Sequence, residues 1–361
     1  MPRLSIHIWL SALALGLIVS CDESTSHRLA RERELQLKEA QAAAAEPKTA
    51  LERALAPLEV GQRLVLYCAA DLRDPTQSTQ LAILQDTAPA LGNGLVLKHL
   101  DAGGDAGVQL TQLQQVQKAK PAILLAHPIE GRLTSAILHD MSANGTVVLG
   151  MDASVEADSG AVTSFVDDKK AGALAAEHAI SALKRKSAAE SNGANPTSGR
   201  VIQITADEDS MLTKSISSGF ADALKSEPGI ILVHEAPAFW TKEGAKARVT
   251  EALRLQGQFD VVVAHTDEIA LGVSEALSLA GKREEVLIIA IGGLKGPDGG
   301  VELLRNSIVD AVIYRPLPME KLYEELSALA KDPNHRPKSS RAELQPVLLT
   351  PKNLEDALQG R

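Results

Sequence analysis

The feature that most constrains this chain is a period. Short apolar or β-branched runs recur from residue 64 onward, and the intervals between them are nearly constant. Runs at 64–70, 94–100, 122–126 and 146–151 start 30, 28 and 24 residues apart. A second series at 200–205, 229–235, 259–265, 286–291 and 310–314 starts 29, 30, 27 and 24 residues apart. The stretches between them, at 77–90, 108–119, 169–183, 214–225, 242–255 and 267–280, have the patterning of amphipathic helices. Parallel strands need a long crossover, usually a helix laid on the sheet face, so units of this kind with near-continuous apolar strands imply parallel sheets covered on both sides. Two series predict two α/β lobes, in keeping with 361 residues, too many for one ordinary domain. Small polar stretches at 186–198 and 332–340 lie between units and read as surface loops.

Composition narrows the function classes. With 37 Lys+Arg against 46 Asp+Glu the net charge is −9, which argues against a nucleic-acid partner, since such proteins carry a basic face. Hydrophobic residues at 45% and charged residues at 23% fit neither wholesale disorder nor a multi-span membrane protein. The two cysteines, Cys21 and Cys68, are too few for a disulfide framework, and Cys68 sits inside an apolar strand as a small buried hydrophobe. Nine histidines are scattered without ligand spacing, so no metal is expected. Phosphate-cradling, dinucleotide, nucleophile-elbow and zinc-protease motifs are absent, so neither a cofactor nor an enzymatic activity is expected.

The N-terminus has its own logic. Arg3 precedes an apolar run over 8–19, shorter than the about 20 residues a bilayer span needs, and residues 1–20 read as a signal peptide. The run ends Leu17-Ile18-Val19-Ser20-Cys21, which resembles the lipobox of bacterial lipoproteins. That resemblance implies acylation of the Cys21 thiol, which would become the first residue of the mature chain and its lipid anchor on the extracytoplasmic face of the cell membrane. The alternative is a plain signal peptide with an incidental cysteine. Asp22 resembles the inner-membrane retention signal of enteric-type bacteria. Residues 21–61 then read as a helical spacer interrupted at Pro47. Strong helix formers with charges of alternating sign follow Arg28, and a helix of about 18 residues would reach about 27 Å.

Several segments of the body resemble one family in collinear order. Ala264-His265-Thr266-Asp267-Glu268-Ile269-Ala270-Leu271-Gly272, Phe165-Val166-Asp167-Asp168-Lys169-Lys170-Ala171-Gly172 and Ser218-Gly219-Phe220-Ala221-Asp222 are similar to the ribose-binding type of periplasmic sugar-binding proteins of ABC transporters, the type I periplasmic binding proteins. Val147-Val148-Leu149-Gly150-Met151-Asp152 and Pro346-Val347-Leu348-Leu349 extend the likeness, which spans about residues 63–353. It implies two interleaved Rossmann-like lobes with a ligand cleft between them, lobe one over 62–165 plus 316–341 and lobe two over 166–315 plus 342–361. The chain would cross between lobes near Val166, Arg315 and Arg341.

The resemblance also assigns a candidate pocket. Asp152 falls where the family has a hydroxyl-accepting Asp, with a turn role at the strand end as the alternative. Trp240 falls where it has an aromatic, with ordinary packing as the alternative. Arg315, at the hinge, and Asp74, His127 and Thr266 fall at polar ligand-contacting positions. Departures are Thr76 and Gln77 in place of paired aromatics, Ala153 and Ile216 in place of arginines, and Gly292 in place of a second Asp. The expected ligand is a small polar molecule, a sugar first and, if Arg315 is unpaired, a sugar acid second; the expected macromolecular partner is an ABC permease in the membrane. A ligand-sensing receptor of the same fold, signalling to a membrane kinase or chemoreceptor, is the alternative. A hydrolase is weakest, since no nucleophile–base pair can be assembled from spacing.

Overall fold

Every apolar run singled out by the spacing forms a strand, and the strands sort into two six-stranded sheets. The structure is a computed structural model describing residues 49–92, 94–191 and 197–359. The signal segment, Cys21 and the spacer through residue 48 lie outside the described residues. The chain divides into two units at Arg53. In the first, Thr49 and Glu52 form a reciprocal capping box at the start of the helix Ala50–Ala54, Thr49 N–H donating to Glu52 Oε2 at 2.8 Å and Glu52 N–H to Thr49 Oγ1 at 3.1 Å.

In the second unit, β1 (Arg63–Ala69), β2 (Leu95–Asp101), β3 (Ile123–Ala126), β4 (Val147–Gly150) and β5 (Val162–Val166) pair in parallel. β6 (Gly199–Thr205), β7 (Ile230–Pro237), β8 (Val261–Ala264), β9 (Leu287–Gly292) and β10 (Ala311–Tyr314) repeat the arrangement. β11 (Ser340–Leu344) returns to sheet one beside β5, and β12 (Val347–Leu349) closes sheet two as an antiparallel partner of β10. The third crossover therefore falls at Gln345–Pro346, a few residues beyond Arg341. The orders β11-β5-β4-β3-β1-β2 and β12-β10-β9-β8-β6-β7 reverse direction between β1 and β3 and between β6 and β8. Ligands of open α/β sheets bind at such switch points, beyond the carboxyl ends of the strands.

Alternation along each strand feeds a core on either face. In sheet two, Val201, Val261, Val263, Ile289 and Ile313 face the helices Asp168–Ser191 and Met211–Leu224. Their neighbours Ile202, Ile204, Val262, Ile288 and Val312 face Lys242–Gln256 and Asp267–Leu279. In sheet one, Val65, Tyr67, Ile123, Leu125 and Leu149 pack on Leu81 and Leu84 of Pro75–Leu91 and on Leu322, Leu326 and Leu329 of Glu320–Lys331. Each such aliphatic side chain, fully buried, contributes about 1.5–3 kcal/mol. Helices Asp168–Ser191 and Met211–Leu224 touch backbone to backbone: a Cβ at Gly172 would lie 2.0 Å from the Ile216 carbonyl oxygen and one at Gly219 1.8 Å from that of Lys169.

One expectation is corrected. The helix beginning at Asp168 runs to Ser191, so the first half of the supposed 186–198 loop is helical; Lys, Ala and Glu there favour a helix, while residues 192–196 lie outside the described residues. The helix Gly131–Ala143 and the strand β5 were not singled out from spacing. The expectation of two α/β lobes with parallel sheets holds, with the edge strand β12 running antiparallel to β10.

Candidate functional site

The strand ends of both lobes converge on a cavity of about 180 Å³. Sheet one contributes the segments after β1, β3, β4 and β5, and sheet two those after β6, β7 and β10.

After β1 the chain turns through Asp71 and Asp74 into the helix Pro75–Leu91. Asp74 accepts from Thr76 N–H at 2.8 Å and from Gln77 Nε2 at 3.2 Å, while Gln77 Oε1 accepts from Ala70 N–H at 2.8 Å. These bonds fix both acid and amide at the cavity wall. Burial pushes the Asp74 carboxyl above its ordinary value, and Arg315 opposes the shift. One helical turn on, Gln80 is fully buried, and its side-chain amide lies 3.2 Å from the Tyr67 hydroxyl.

After β3, His127 packs edge-on against the Tyr67 ring, with centroids 5.5 Å apart, and its Nε2 lies 3.2 Å from the Tyr67 hydroxyl. Tyr67 also reaches the Gln77 carbonyl at 2.9 Å. A phenol has one proton, so when that proton goes to Gln77, His127 Nε2–H is the donor to Tyr67. Gln109 pins the loop from the other side: its Nε2 donates to the His127 carbonyl at 2.8 Å and its Oε1 accepts from Ile129 N–H at 2.8 Å. Burial holds the imidazole pKa down at about 4, although Asp152 favours its charged form. His127 is therefore neutral near pH 7.

After β4, Asp152 Oδ1 accepts from Ser154 N–H at 2.8 Å. Its other oxygen has no hydrogen-bond donor among the described residues. Arg315 follows β10 and points back across the hinge: its Nε donates to Asp168 Oδ1 at 2.6 Å and its Nη1 to Thr76 Oγ1 at 3.2 Å. Burial works against the guanidinium, but Asp168, Asp74 and Asp152 together raise its pKa. The sequence left Arg315 open for a ligand carboxylate or phosphate. The structure pairs it with Asp168, which removes the ground for a sugar acid as second choice.

Lobe two supplies Asp207, Asp209, Ser210, Met211 and Leu212 after β6, and Trp240 after β7. Phe239 and Trp240 have φ of +53° and +65°, a left-handed conformation that costs a non-glycine residue about 1–3 kcal/mol. Hydrogen bonds from Ala238 N–H to the Thr205 carbonyl (2.9 Å) and from Phe239 N–H to the Ala206 carbonyl (3.0 Å) hold this turn against the end of β6. Trp240 is only 5% exposed: it belongs to the lobe-two core and lines the cavity, and its indole Nε1 has no hydrogen-bond partner among the described residues. A salt bridge crosses between the lobes at the cavity rim, Arg73 Nη2 lying 2.6 Å from Asp71 Oδ2 and 3.5 Å from Asp207 Oδ2.

The cavity thus brings together Asp74, His127, Asp152, Trp240 and Arg315. Thr266 is not in its lining: its Oγ1 caps the helix Asp267–Leu279, accepting from Ile269 N–H at 3.2 Å. Ile216, matched to an arginine position, is wholly buried in the lobe-two core. At Gly292 a Cβ would lie 2.4 Å from Asp267 Oδ1, and Asp267 itself holds Gly293 and Leu294 by their N–H groups, so no second Asp fits there. Phe165, Asp168, Gln80 and the Arg73–Asp207 pair are wall residues that sequence reasoning missed. Phe165 gives the wall a second aromatic beside Trp240, with Arg341 Cζ 4.2 Å from its ring centroid. Gln80 had a signal, since it shares one helix face with Thr76 and Gln77. Among the described residues no cluster of His, Cys, Asp or Glu could hold a metal ion.

A family model described as a periplasmic binding protein domain matches residues 74–322. The ribose import binding protein of Bacillus subtilis is 27% identical over 236 residues, covering 64% of this chain and 70% of that protein. Among solved structures, the Caulobacter myo-inositol binding protein bound to myo-inositol superposes with a TM-score of 0.67 at 21% identity, covering 83% of this chain and 97% of that chain. An ABC transporter solute binding protein from Bacillus halodurans with bound myo-inositol superposes with a TM-score of 0.68 at 16% identity, covering 84% and 100%. These superpositions establish the shared two-lobed fold.

Proposed function

The chain belongs to the periplasmic binding protein family, and from that premise we propose that it is a lipid-anchored extracytoplasmic receptor that captures a single-ring polyol in the interlobe cleft and delivers it to an ABC permease. It is a binding protein, not an enzyme. The observation that carries the ligand class is the wall of the cleft. Carboxylates of Asp74 and Asp152 offer hydroxyl acceptors, Trp240 brings a buried N–H donor with no acceptor among the described residues, and the rings of Trp240 and Phe165 add apolar surface. A polyol ring presents this same mixture of O–H donors, oxygen acceptors and C–H faces. At about 180 Å³ the cavity lies below the roughly 300–1,000 Å³ of drug-sized sites, which favours one ring over a disaccharide. The likeness to ribose-binding and myo-inositol-binding proteins supports the same class.

Capture follows from the connections between lobes. Three crossovers lie side by side, since Val166 pairs with Leu344 and Tyr314 with Val347, so the lobes can rotate about a narrow hinge. Closure on a polyol removes it from water, and opening at the permease releases it unchanged. A thermal-shift screen of pentoses, hexoses and cyclitols tests the reading. A ligand binding only the folded state raises the melting temperature with its concentration, and a panel in which no polyol does so counts against it.

A further inference from the structure

Tyr67 on β1 is wholly buried and is not part of the cavity lining, yet its hydroxyl touches three residues that are. The Gln77 carbonyl oxygen lies 2.9 Å away, and the Gln80 side-chain amide and His127 Nε2 each lie 3.2 Å away. A carbonyl oxygen only accepts, and two oxygens this close with no proton between them repel, so the phenol proton points at Gln77. The phenol oxygen then has only lone pairs for its other two neighbours. Both donate to it, Gln80 through its amide N–H and His127 through Nε2–H.

A neutral imidazole carries one proton, and burial keeps His127 neutral near pH 7. With that proton on Nε2, Nδ1 is a bare lone pair. The seat of the ring is fixed as well: His127 N–H donates to the Cys68 carbonyl at 3.1 Å, its carbonyl accepts from Gln109 Nε2 at 2.8 Å, and the ring stands edge-on to Tyr67 at 64°. Nδ1 has no hydrogen-bond partner among the described residues, and neither has the second oxygen of Asp152, whose charge acts on this imidazole. Two acceptors on one wall cannot satisfy each other; a donor from the ligand can satisfy them. The other tautomer would reverse the chemistry, because a proton on Nδ1 would be drawn toward the Asp152 carboxylate and the wall would lose an acceptor.

We propose that Tyr67 is a positioning residue of the cleft, holding His127 in the Nε2–H tautomer so that Nδ1 accepts a hydroxyl proton from the ligand. The inference rests on the solute-binding reading of the same cleft and adds what the ligand supplies at this point: a free hydroxyl, since an ether or carbonyl oxygen there would set two lone pairs face to face.

Long-range proton–nitrogen correlation spectra of the histidine rings in the full chain at neutral pH read each ring nitrogen as protonated or bare, with His127 assigned by the signals lost in His127→Gln. Wild type should show a protonated Nε2 and a bare Nδ1, and at least one of myo-inositol, ribose and glucose should bind and move the Nδ1 resonance. Tyr67→Phe, which keeps the ring, should shift His127 toward the Nδ1–H form and weaken that ligand about fivefold by calorimetry, the worth of about one hydrogen bond. Added to His127→Gln, the same substitution should cost less than about twofold, because no Nδ1 is left to present. A protonated Nδ1 in wild type overturns the proposal even if Tyr67→Phe does not fold. An unchanged tautomer in Tyr67→Phe, an equal loss in both backgrounds, or a bound ligand that leaves Nδ1 unmoved also overturns it, and all of these leave the polyol reading standing. Binding by none of the three probes overturns both.

Discussion

Arg315 Nε donates to Asp168 Oδ1 at 2.6 Å, so the second crossover between the lobes is tied to the first by one charge-assisted bond. Both side chains are largely buried, 11% and 16% exposed, and the guanidinium also reaches Thr76 of lobe one. Removing the cation leaves Asp168 and Asp74 unpaired in a site that already raises their pKa by burial. Arg315→Met should lower unfolding stability by about 3 kcal/mol, and Arg315→Lys, which keeps the charge but not the planar fork, should recover part of it. Urea denaturation of the two variants measures this; equal stability of Arg315→Met and wild type would show that the pair carries no weight in the fold.

His127 gives the protein an acid-sensitive component. Burial depresses its pKa from 6.5 to about 4, so the unfolded chain takes up a proton as pH falls through 6.5 while the folded chain takes it up only near 4. Stability fully present above pH 6.5 is therefore lost across the window down to about 4, and His265, depressed to about 3 by burial, acts with the same sign. His127→Gln removes one of these titrations. The slope of unfolding free energy against pH in that window should be shallower in the variant by up to one proton, and an unchanged slope would mean that His127 is not held neutral.

The rim pair Arg73–Asp207 should favour the closed arrangement only modestly, because Arg73 is 51% exposed and solvent screens the attraction. Asp207→Asn is expected to weaken polyol binding by no more than about fivefold, with the difference shrinking at high salt. Isothermal titration at two ionic strengths tests it. A loss on the order of a hundredfold that salt does not alter would place Asp207 on the ligand itself.

Much of the fold was legible because buried parallel strands leave near-continuous apolar runs, and nine such runs became β1 to β4 and β6 to β10. The helix Gly131–Ala143 was harder to read: Glu130 at its N-cap makes no side-chain capping bond and Gly131 opens it. Of the site, Asp152, His127 and Arg315 were placed by the family resemblance, and all three follow strand ends and line the cavity. Thr266 follows the end of a strand but lies outside the cavity lining, where its hydroxyl oxygen caps a helix. The Arg315–Asp168 pair spans 147 residues of sequence, and no local pattern reports it. Phe165 was read as part of a crossover, and only the neighbouring strands place it in the cavity wall.

Cys21→Ser should release the protein from membranes after signal cleavage, because the thiol is the proposed acylation point and several acyl chains anchor stably where one does not. Membrane fractionation reads this directly; a serine variant that stays fully membrane-bound would rule out the lipobox.

The central claim, that a polyol sits in the interlobe cleft against Trp240, has its own reporter in the chain. The sequence holds two tryptophans, Trp9 and Trp240, so in the full chain carrying Trp9→Phe all tryptophan emission comes from the cavity wall. Titration with a polyol that raises the melting temperature should give a saturable change in that emission, with a midpoint matching the calorimetric affinity. Asp152→Ala should shift the midpoint upward by about tenfold or more. Calorimetric binding with no change in Trp240 emission, and with wild-type affinity in Asp152→Ala, would contradict the account.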